Sequence, residues 1–350
     1  MASAADHPGT ADRASISHCE VPFEPVEVSQ SISVPAPSDA AAPAADWPAP
    51  ADRGGCVYLW QQNASAGGGA ADECGFSWAI SAADADTVVL HEWSLDGTGP
   101  STAVRLTFAA PLLPAVAVWA GDTSAVLYFL TADAALHAVS LQQRPAGGGQ
   151  SLLAALAAAG LAAVDSATIP DAAALGAPTA LAAVSGAVAV GGSAGGVRCV
   201  PQACLAGKLP IQDTVQLAAS GDGLVTRLAR GFWGAVQAPA VIDLAAAPFL
   251  GPHMLAALYA DASVRFWDTK AAAPTVVVAS LAALAPGGGA FARGAPPQRL
   301  RLAAAGVPRQ ALLAVQLGGG DGGAKSAVEL FTVHFEGRTA GLQHTASLQV

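Results

Sequence analysis

Short runs of apolar residues, separated by turn-forming residues, continue from about Cys56 to the end of the chain. The runs are rich in Val, Leu, Ile and aromatic residues, and Gly, Asp, Ala and Pro lie between them. Examples are Cys56–Gln61, Phe76–Ser81, Thr87–Trp93, Ala103–Phe108, Ala115–Ala120 and Ala125–Leu130. Short strands at close spacing, with turn signals between them, are typical of an all-β sandwich, barrel or propeller.

A repeated layout of strand, tight turn and strand favours the propeller among these architectures. The three copies are Val126–Val139, Ala187–Val200 and Leu255–Trp267. When they are aligned on the turn, Asp133, Ala194 and Asp261 correspond, and apolar and polar residues alternate after it. Successive strand residues point to opposite faces, so the polar members of this alternation, such as His137, are predicted to face outward. His334 is predicted to face outward in the same way.

Further hairpins and two short helices complete the predicted domain. A later hairpin pairs Ala311–Leu317 with Ala327–His334, and an earlier one covers Phe76–Trp93. The anchors of the repeat lie farther apart than the roughly 40–45 residues of a standard propeller repeat, which predicts irregular, WD-repeat-like blades with long insertions. Helices predicted over Ser151–Ala159 and Asp222–Phe232 account for part of the added length.

The first 50 residues differ in texture from the rest of the chain. They are rich in Ala, Pro, Ser and Asp, which predicts a disordered leader over residues 1–50 and a propeller domain over residues 51–350. The long uncharged run Ala172–Val197 is rich in Ala and interrupted by Gly and Pro. A membrane-spanning helix needs about 20 strongly apolar residues, so this run is predicted to form strands and a loop, and no transmembrane segment is expected.

Charge and cysteine content narrow the classes of function. The 350 residues include 16 Lys and Arg against 26 Asp and Glu, which gives a net charge of −10. Nucleic-acid binding depends on basic clusters that neutralise phosphates, and this chain has none, so no direct nucleic-acid partner is expected. The 5 cysteines are scattered without a Cys-x-x-Cys pair, so we expect neither a disulfide framework nor a zinc site.

No catalytic, cofactor or metal constellation emerges from the remaining polar residues, and the chain is predicted not to be an enzyme. The glycine-rich stretch that ends in Lys325 and Ser326 has Ala324 where a phosphate loop needs its second glycine, and it leads into a predicted strand. The run Gly191–Gly196 is likewise predicted to be a turn between strands. The seven histidines are isolated from one another.

Four residues are predicted to have structural roles in the blades. Trp267 and Asp268 form the Trp-Asp dipeptide of propeller repeats, at the end of a predicted strand. An indole at this place is expected to fill the gap between neighbouring blades, and the carboxylate is expected to accept hydrogen bonds from the turn. Asp133 and Asp261 are the acidic residues at the aligned turns.

Four features, in order, resemble the N-terminal β-propeller of the ~160-kDa scaffold nucleoporin of the Y-shaped outer-ring subcomplex of the nuclear pore. The first is the strand, Pro-Leu-Leu-Pro turn and strand of the opening blade, and the second is a Gly-Gly turn before a strand. The third is a strand and helix ending in Gly231, Phe232 and Trp233, and the fourth is a hairpin ending in an aromatic pair. They occupy Ala103–Val118 with Val126–Ser140, the turn before Val197 together with Val197–Val200, Thr214–Val236 and Leu258–Asp268.

This resemblance implies a structural function and a cellular address. It implies a Y-complex scaffold at the nuclear envelope that supports nucleocytoplasmic transport and mRNA export. The partners would be other Y-complex nucleoporins, including a small companion propeller, and the chain would be the N-terminal part of a propeller-plus-α-solenoid protein. The alternative is a propeller subunit of a vesicle-coat or ciliary-transport scaffold. Candidate interface residues are Trp119, Phe232 and Trp233, although each would also suit a core.

Overall fold

The computed structural model describes most of the chain after residue 53 and two short stretches before it. The described residues are 16–17, 30–39, 53–60, 73–94, 102–120, 124–142, 152–217, 238–270, 276–278, 280–285, 290–291, 294–307, 309–318, 326–336 and 339–349. The predicted helix at Asp222–Phe232 lies outside these ranges.

Within the described ranges, five sheets follow one another, and nearly all neighbouring strands in them are antiparallel. The first six strands are β1 Ile16–Ser17, β2 Gln30–Val34, β3 Arg53–Trp60, β4 Glu73–Ile80, β5 Thr87–Ser94 and β6 Ala103–Phe108. They form the first sheet in the order β1-β3-β4-β5-β6-β2. The second sheet contains β7 Ala117–Ala120, β8 Ser124–Leu130, β9 Ala135–Gln142 and β10 Val164–Thr168.

The three later sheets each contain four strands in sequence order. The third is built from β11 Pro178–Val184, β12 Ala187–Gly192, β13 Val197–Pro201 and β14 Val215–Leu217. The fourth is built from β15 Val241–Ala246, β16 Met254–Tyr259, β17 Val264–Asp268 and β18 Val276–Val278. The fifth is built from β19 Pro297–Ala304, β20 Gln310–Leu317, β21 Ala327–Glu336 and β22 Thr339–Gln349.

The described helices are short and lie in the connections between strands. They are α1 Leu152–Ala159, α2 Ala172–Leu175 and α3 Gln202–Leu205, with 3₁₀ turns at Gly160–Ala163 and Ile211–Asp213. The helix predicted at Ser151–Ala159 is confirmed as α1. Its first N–H groups, those of Leu152 and Leu153, each donate to a carboxylate oxygen of buried Glu92 at 3.1 Å. A carboxylate suits this end because the N-terminal amides have no partner within the helix.

Apolar cores lie between consecutive sheets, so each inner sheet is covered on both faces. Phe76 and Phe129 belong to the core between the first and second sheets, and Leu130 and Val190 to the next. The two later cores contain Val197 with Trp267, and Phe266 with Phe331. The first strands of the second to fifth sheets contact one another in sequence order. Sheets stacked face to face around their first strands make this chain an all-β propeller, as predicted.

The first strands of three consecutive sheets share an irregularity near their start. The register of the first pair of strands shifts between Pro178 and Ala180, between Val241 and Asp243, and between Pro297 and Arg299. Each shift marks a β-bulge, which bends the strand and increases its twist. The third, fourth and fifth sheets are therefore repeats of one structural unit.

Part of the span predicted as a leader belongs to the first sheet. Strand β2 pairs in parallel with β6, from Gln30 opposite Val104 to Val34 opposite Phe108. The Gln30 side-chain amide donates to the Ala157 carbonyl at 3.0 Å, and the Thr168 hydroxyl donates to Asp39 at 2.9 Å. Residues 30–39 thus run from the outer edge of the first sheet to that of the second. The sequence concealed this pairing because its partner strand lies far downstream.

The predicted hairpins agree with the observed strands. The three aligned copies correspond to β8–β9, β12–β13 and β16–β17, and the later and earlier hairpins correspond to β20–β21 and β4–β5. The last four residues of the run Gly191–Gly196 form the turn between β12 and β13, as predicted, and its first two residues end β12. Among the described residues, no helix has the length and apolar character needed to cross a membrane.

Candidate functional site

The aligned turns adopt one backbone conformation in the second, third and fourth sheets. The residue after each anchor has a positive φ, +58° at Ala134, +81° at Gly195 and +59° at Ala262. In each turn the N–H of this residue donates to the carbonyl three positions earlier. Alanine is uncommon in this left-handed region, so the turn geometry is imposed by the hairpin rather than by the residue itself.

The anchor carboxylates of the second and fourth sheets accept hydrogen bonds within their turns. Asp133 accepts the Ala135 N–H at 3.4 Å and the Thr131 hydroxyl, and Asp261 accepts the Ser263 N–H at 3.0 Å. Asp133 is buried at 6% exposure, whereas Asp261 is exposed. The same turn residue is therefore part of a buried network in one sheet and of a solvent-facing turn in the other.

A polar residue occupies the same register position on the third strand of four consecutive sheets. These residues are His137, Arg198, Arg265 and Glu329, which we call the polar position. On each of these strands, a residue two positions away from the polar one belongs to the apolar core between that sheet and the preceding sheet. Alternation along a strand keeps such residues on one face, so each polar position faces the sheet before it.

In the second sheet, both ring nitrogens of His137 have hydrogen-bond partners. Its Nε2 lies 3.2 Å from the Thr131 hydroxyl, and its Nδ1 lies 2.7 Å from the hydroxyl of Ser166, the residue opposite it on β10. Because Thr131 donates to Asp133, the chain assigns the proton to Nε2 and makes Nδ1 an acceptor. The Phe108 ring of the first sheet lies 4.9 Å from the imidazole, centroid to centroid.

Burial keeps this imidazole neutral. It lowers the pKa of His137 from 6.5 to about 4, against the opposing influence of the Asp133 charge. The prediction that His137 faces outward is wrong, since the residue is 2% exposed. In a propeller both faces of a sheet are covered by neighbouring sheets, so alternation along the strand does not distinguish core from solvent. His334 is partly buried.

In the fifth sheet, the polar position is a buried carboxylate that fastens the last strand. Glu329 is fully buried and accepts the Ala290 N–H at 2.9 Å and the Ser347 hydroxyl, with His344 Nε2 at 2.9 Å. Burial raises the pKa of Glu329, but these hydrogen bonds outweigh it and hold the pKa below its ordinary value. The same His344 nitrogen, Nε2, also lies 3.2 Å from the Ser347 hydroxyl. In a hydrolytic triad the serine and the carboxylate meet different ring nitrogens, so this arrangement differs from a triad.

In the fourth sheet, the polar position lacks such partners. The Arg265 guanidinium carbon lies 4.1 Å above the centre of the Tyr259 ring, and its Nε and Nη1 are buried without a hydrogen-bond partner among the described residues. Within the same part of the chain, the Tyr259 hydroxyl, the Ser263 hydroxyl and the Trp267 indole N–H are also buried and unpartnered. Burial raises the pKa of Tyr259 to about 12. The charge of Arg265 and the closeness of its side chain to the hydroxyl oppose this rise, whereas the Asp261 charge adds to it. All four residues lie on the same face of the β16–β17 hairpin.

A partly buried carboxylate, 19% exposed, joins the first strands of the fourth and fifth sheets. Asp243 accepts the N–H groups of Leu244 at 2.9 Å and Leu300 at 2.8 Å, and Arg301 Nη1 lies 3.2 Å from it. Burial raises the pKa of Asp243 above its ordinary value, although Arg301 and the backbone donors act in the opposite direction. One sheet earlier, the Thr179 hydroxyl donates to the Val241 carbonyl across the sheets at 2.6 Å.

The sequence reasoning missed the roles of Glu92, Asp243 and Glu329. Each is an acidic residue with apolar or neutral residues on both sides, in TVVLHEWS, VIDLAA and AVELFTVHFE. A carboxylate cannot be buried without hydrogen-bond donors, so an isolated acid inside a predicted buried strand was the available signal. Its partners could not be read from the sequence because they lie on other elements.

The residues predicted to matter are not brought together into one site. Trp267 is fully buried in the core between the third and fourth sheets, and its ring centroid lies 6.5 Å from that of Tyr259. Asp268 is partly buried and accepts the Lys270 N–H at 3.0 Å. Trp119 is partly buried against the core between the second and third sheets. Phe232 and Trp233 lie outside the described residues.

One cavity opens beside residues 34–37. It measures about 250 Å³ and lies between Val34–Pro37 and the outer edge of the second sheet, with Leu161, Val164 and Ser166 on its far wall. Its lining is mostly aliphatic. The described ranges contain no group of three or more His, Cys, Asp or Glu residues placed to hold a metal ion.

Comparisons with known proteins give likenesses in structure at low sequence identity. No family model and no curated protein matches the sequence. A crystal structure of BBS1N in complex with ARL6DN matches at a TM-score of 0.39 and 12% identity, over 69% of this chain and 58% of that one. The chain thus spans less than two thirds of the BBS1N chain.

Two further solved structures are similar over more of the chain. The WD40 repeats of RRP9 match at a TM-score of 0.36 and 11% identity, over 79% of this chain and 77% of that one. Sqt1 of Saccharomyces cerevisiae matches at a TM-score of 0.37 and 9% identity, over 84% and 69%. The description of this fold as a propeller rests on the chain's own sheets and cores.

Proposed function

We propose that this chain is a non-catalytic scaffold whose propeller binds other proteins. The observation that carries the proposal is how the buried polar groups are used. Glu92, Asp133, Asp243 and Glu329 each bond backbone N–H groups, and His137 bonds two hydroxyls. These bonds join strands, sheets and a helix to one another. A propeller stiffened in this way offers broad docking surfaces on its faces and rim.

The particular scaffold we propose is an outer-ring subunit of the nuclear pore, at the nuclear envelope. This step rests on the resemblance of Ala103–Val118 with Val126–Ser140, the turn before Val197 together with Val197–Val200, Thr214–Val236 and Leu258–Asp268 to the propeller of the Y-complex nucleoporin. The partners would be other Y-complex nucleoporins, including a small companion propeller. The role would be to support nucleocytoplasmic transport and mRNA export.

A fluorescent tag on the endogenous gene tests the proposed location. Punctate signal at the nuclear rim, together with co-purification of Y-complex subunits, is the expected result. Signal on cytoplasmic vesicles or at the base of a cilium would contradict the nuclear-pore proposal and leave the scaffold proposal standing. Turnover of a substrate by the purified chain, abolished by a point substitution that leaves its melting temperature unchanged, would contradict the scaffold proposal itself.

A further inference from the structure

We propose that the fourth sheet contains a binding site for a small oxyanion, a phosphate or carboxylate, held by Arg265 with Tyr259 and Ser263. Five of the buried side-chain polar atoms that lack a partner in the described chain belong to the β16–β17 hairpin. They are the Tyr259 and Ser263 hydroxyls, Nε and Nη1 of Arg265, and the indole nitrogen of Trp267. Buried polar atoms without partners are rare in native proteins, and five on one hairpin call for a ligand.

The chemistry of these atoms defines the ligand. The arginine and tryptophan nitrogens are donors only, and the two hydroxyls can each donate. A ligand that satisfies them must therefore supply acceptor oxygens, and one that balances the guanidinium must carry negative charge. The guanidinium fork matches the paired oxygens of a carboxylate or phosphate. A neutral or cationic ligand would leave the Arg265 charge unbalanced.

Comparison of the polar position in neighbouring sheets explains why this arginine needs an outside partner. His137 is bonded by Ser166 and Glu329 by Ser347, and each serine stands opposite it on the outer strand. The residue opposite Arg265 on the outer strand is a valine, Val277, where the other two sheets have a serine. Among the described residues, the fold therefore places a polar group here without a serine opposite it.

The site has an approach from solvent at the turn. Arg265 is partly exposed, whereas Tyr259 and Ser263 are buried beside it, on either side of the turn that carries exposed Asp261. The Asp261 carboxylate accepts the Ser263 N–H. No described carboxylate forms an ion pair with Arg265 within the part of the chain that the structure covers. An anion that enters past the turn would reach the guanidinium beside the Asp261 carboxylate, whose charge also acts on the Tyr259 hydroxyl.

Thermal unfolding of the purified chain in phosphate, acetate and chloride at equal ionic strength tests the proposal. We expect a higher melting temperature in phosphate or acetate than in chloride, because a ligand that binds the folded state stabilises it. The Arg265→Met variant should lose this difference, and Arg105→Met, which removes the same charge from an exposed strand position, should keep it. A shift with phosphate alone identifies a tetrahedral anion, and a shift with acetate identifies a carboxylate.

A second readout separates ligand binding from a purely structural role. In chloride, Arg265→Met should be as stable as the wild type or more stable, since it removes buried donors that have no partner. In phosphate the order should reverse. Calorimetric titration with inorganic phosphate should show at least a tenfold loss of affinity in Arg265→Met and an intermediate loss in Arg265→Lys. Equal responses of wild type and Arg265→Met to phosphate and acetate would overturn the proposal, as would destabilisation of Arg265→Met by the same amount in all three salts.

Discussion

The second and fourth sheets contain the same kind of hairpin, but the polar side chain of that hairpin has hydrogen-bond partners in only one of them. Both place an aspartate in the turn, a residue with positive φ after it, and a polar side chain facing the preceding sheet. In the second sheet that side chain is a neutral histidine with a partner at each nitrogen. In the fourth it is a cationic arginine with buried nitrogens that have none. The repeat sets the position of the polar side chain. The residue opposite it on the outer strand determines whether the sheet supplies a hydrogen-bond partner.

The largest loss of stability should come from truncating the buried side chain two residues after the polar position. Trp267→Ala should destabilise the fold by about 3–5 kcal/mol, because it removes a fully buried indole from the core between the third and fourth sheets. At the equivalent place in the second sheet, Val139→Ala should cost about 2 kcal/mol. Chemical denaturation of both variants measures the difference. Equal losses would show that the fourth sheet does not depend on its tryptophan more than the second depends on its valine.

Acid should weaken the second sheet through His137. Its folded pKa of about 4 lies below its ordinary 6.5, so the unfolded chain takes up a proton first as the pH falls. The stability from the neutral imidazole is complete above pH ~6.5 and is lost as the pH falls toward ~4, by about 2 kcal/mol between pH ~7 and pH ~5. His137→Gln should lack this component in denaturation curves at the two pH values. Arg265→Met leaves this imidazole unchanged and should retain the wild-type pH dependence.

Removing the Ser166 hydroxyl should leave the polar position of the second sheet without a partner on the outer strand, as in the fourth sheet. Ser166→Val leaves Nδ1 of His137 without its donor and should cost about 1–2 kcal/mol, the penalty for a buried polar atom that loses its partner. Ser33→Val, on the exposed face of β2 in the first sheet, is the matched control and should change the free energy of unfolding little. An unchanged free energy of unfolding in Ser166→Val would mean that the histidine does not need this bond.

The smallest effect should separate the two turn aspartates. Asp261→Ala removes one hydrogen bond at an exposed turn and should cost about 0.5 kcal/mol. Asp133→Ala removes the acceptor of the Ala135 N–H and one of the two acceptors near the buried Thr131 hydroxyl, and it should cost at least twice as much. Melting temperatures of the two variants, measured side by side, provide the comparison. A larger loss in Asp261→Ala would contradict the distinction between a buried network and an exposed turn.

The sequence was informative wherever the relevant contacts are local. Turn residues and the alternation that follows them predicted the hairpins and α1, since both are set by neighbours along the chain. The exposure of His137 was predicted wrongly because alternation cannot reveal a neighbouring sheet. The pairing of β2 with β6, and the bond from Asp243 to Leu300, join residues far apart in sequence. A single sequence holds no record of such contacts, which is also why the unpartnered state of Arg265 emerged only in three dimensions.

The parallel pairing of β2 with β6 has a consequence for the order of folding. During synthesis β2 leaves the ribosome well before β6, so the N-terminal segment must wait unpaired while three strands of its own sheet are made. Its contacts with Ala157 and Thr168 become available later still. Closing a long loop costs entropy that is recovered only when the distant contact forms. Docking of residues 30–39 should therefore be a late, slow step, which fastens two blades that have already been assembled.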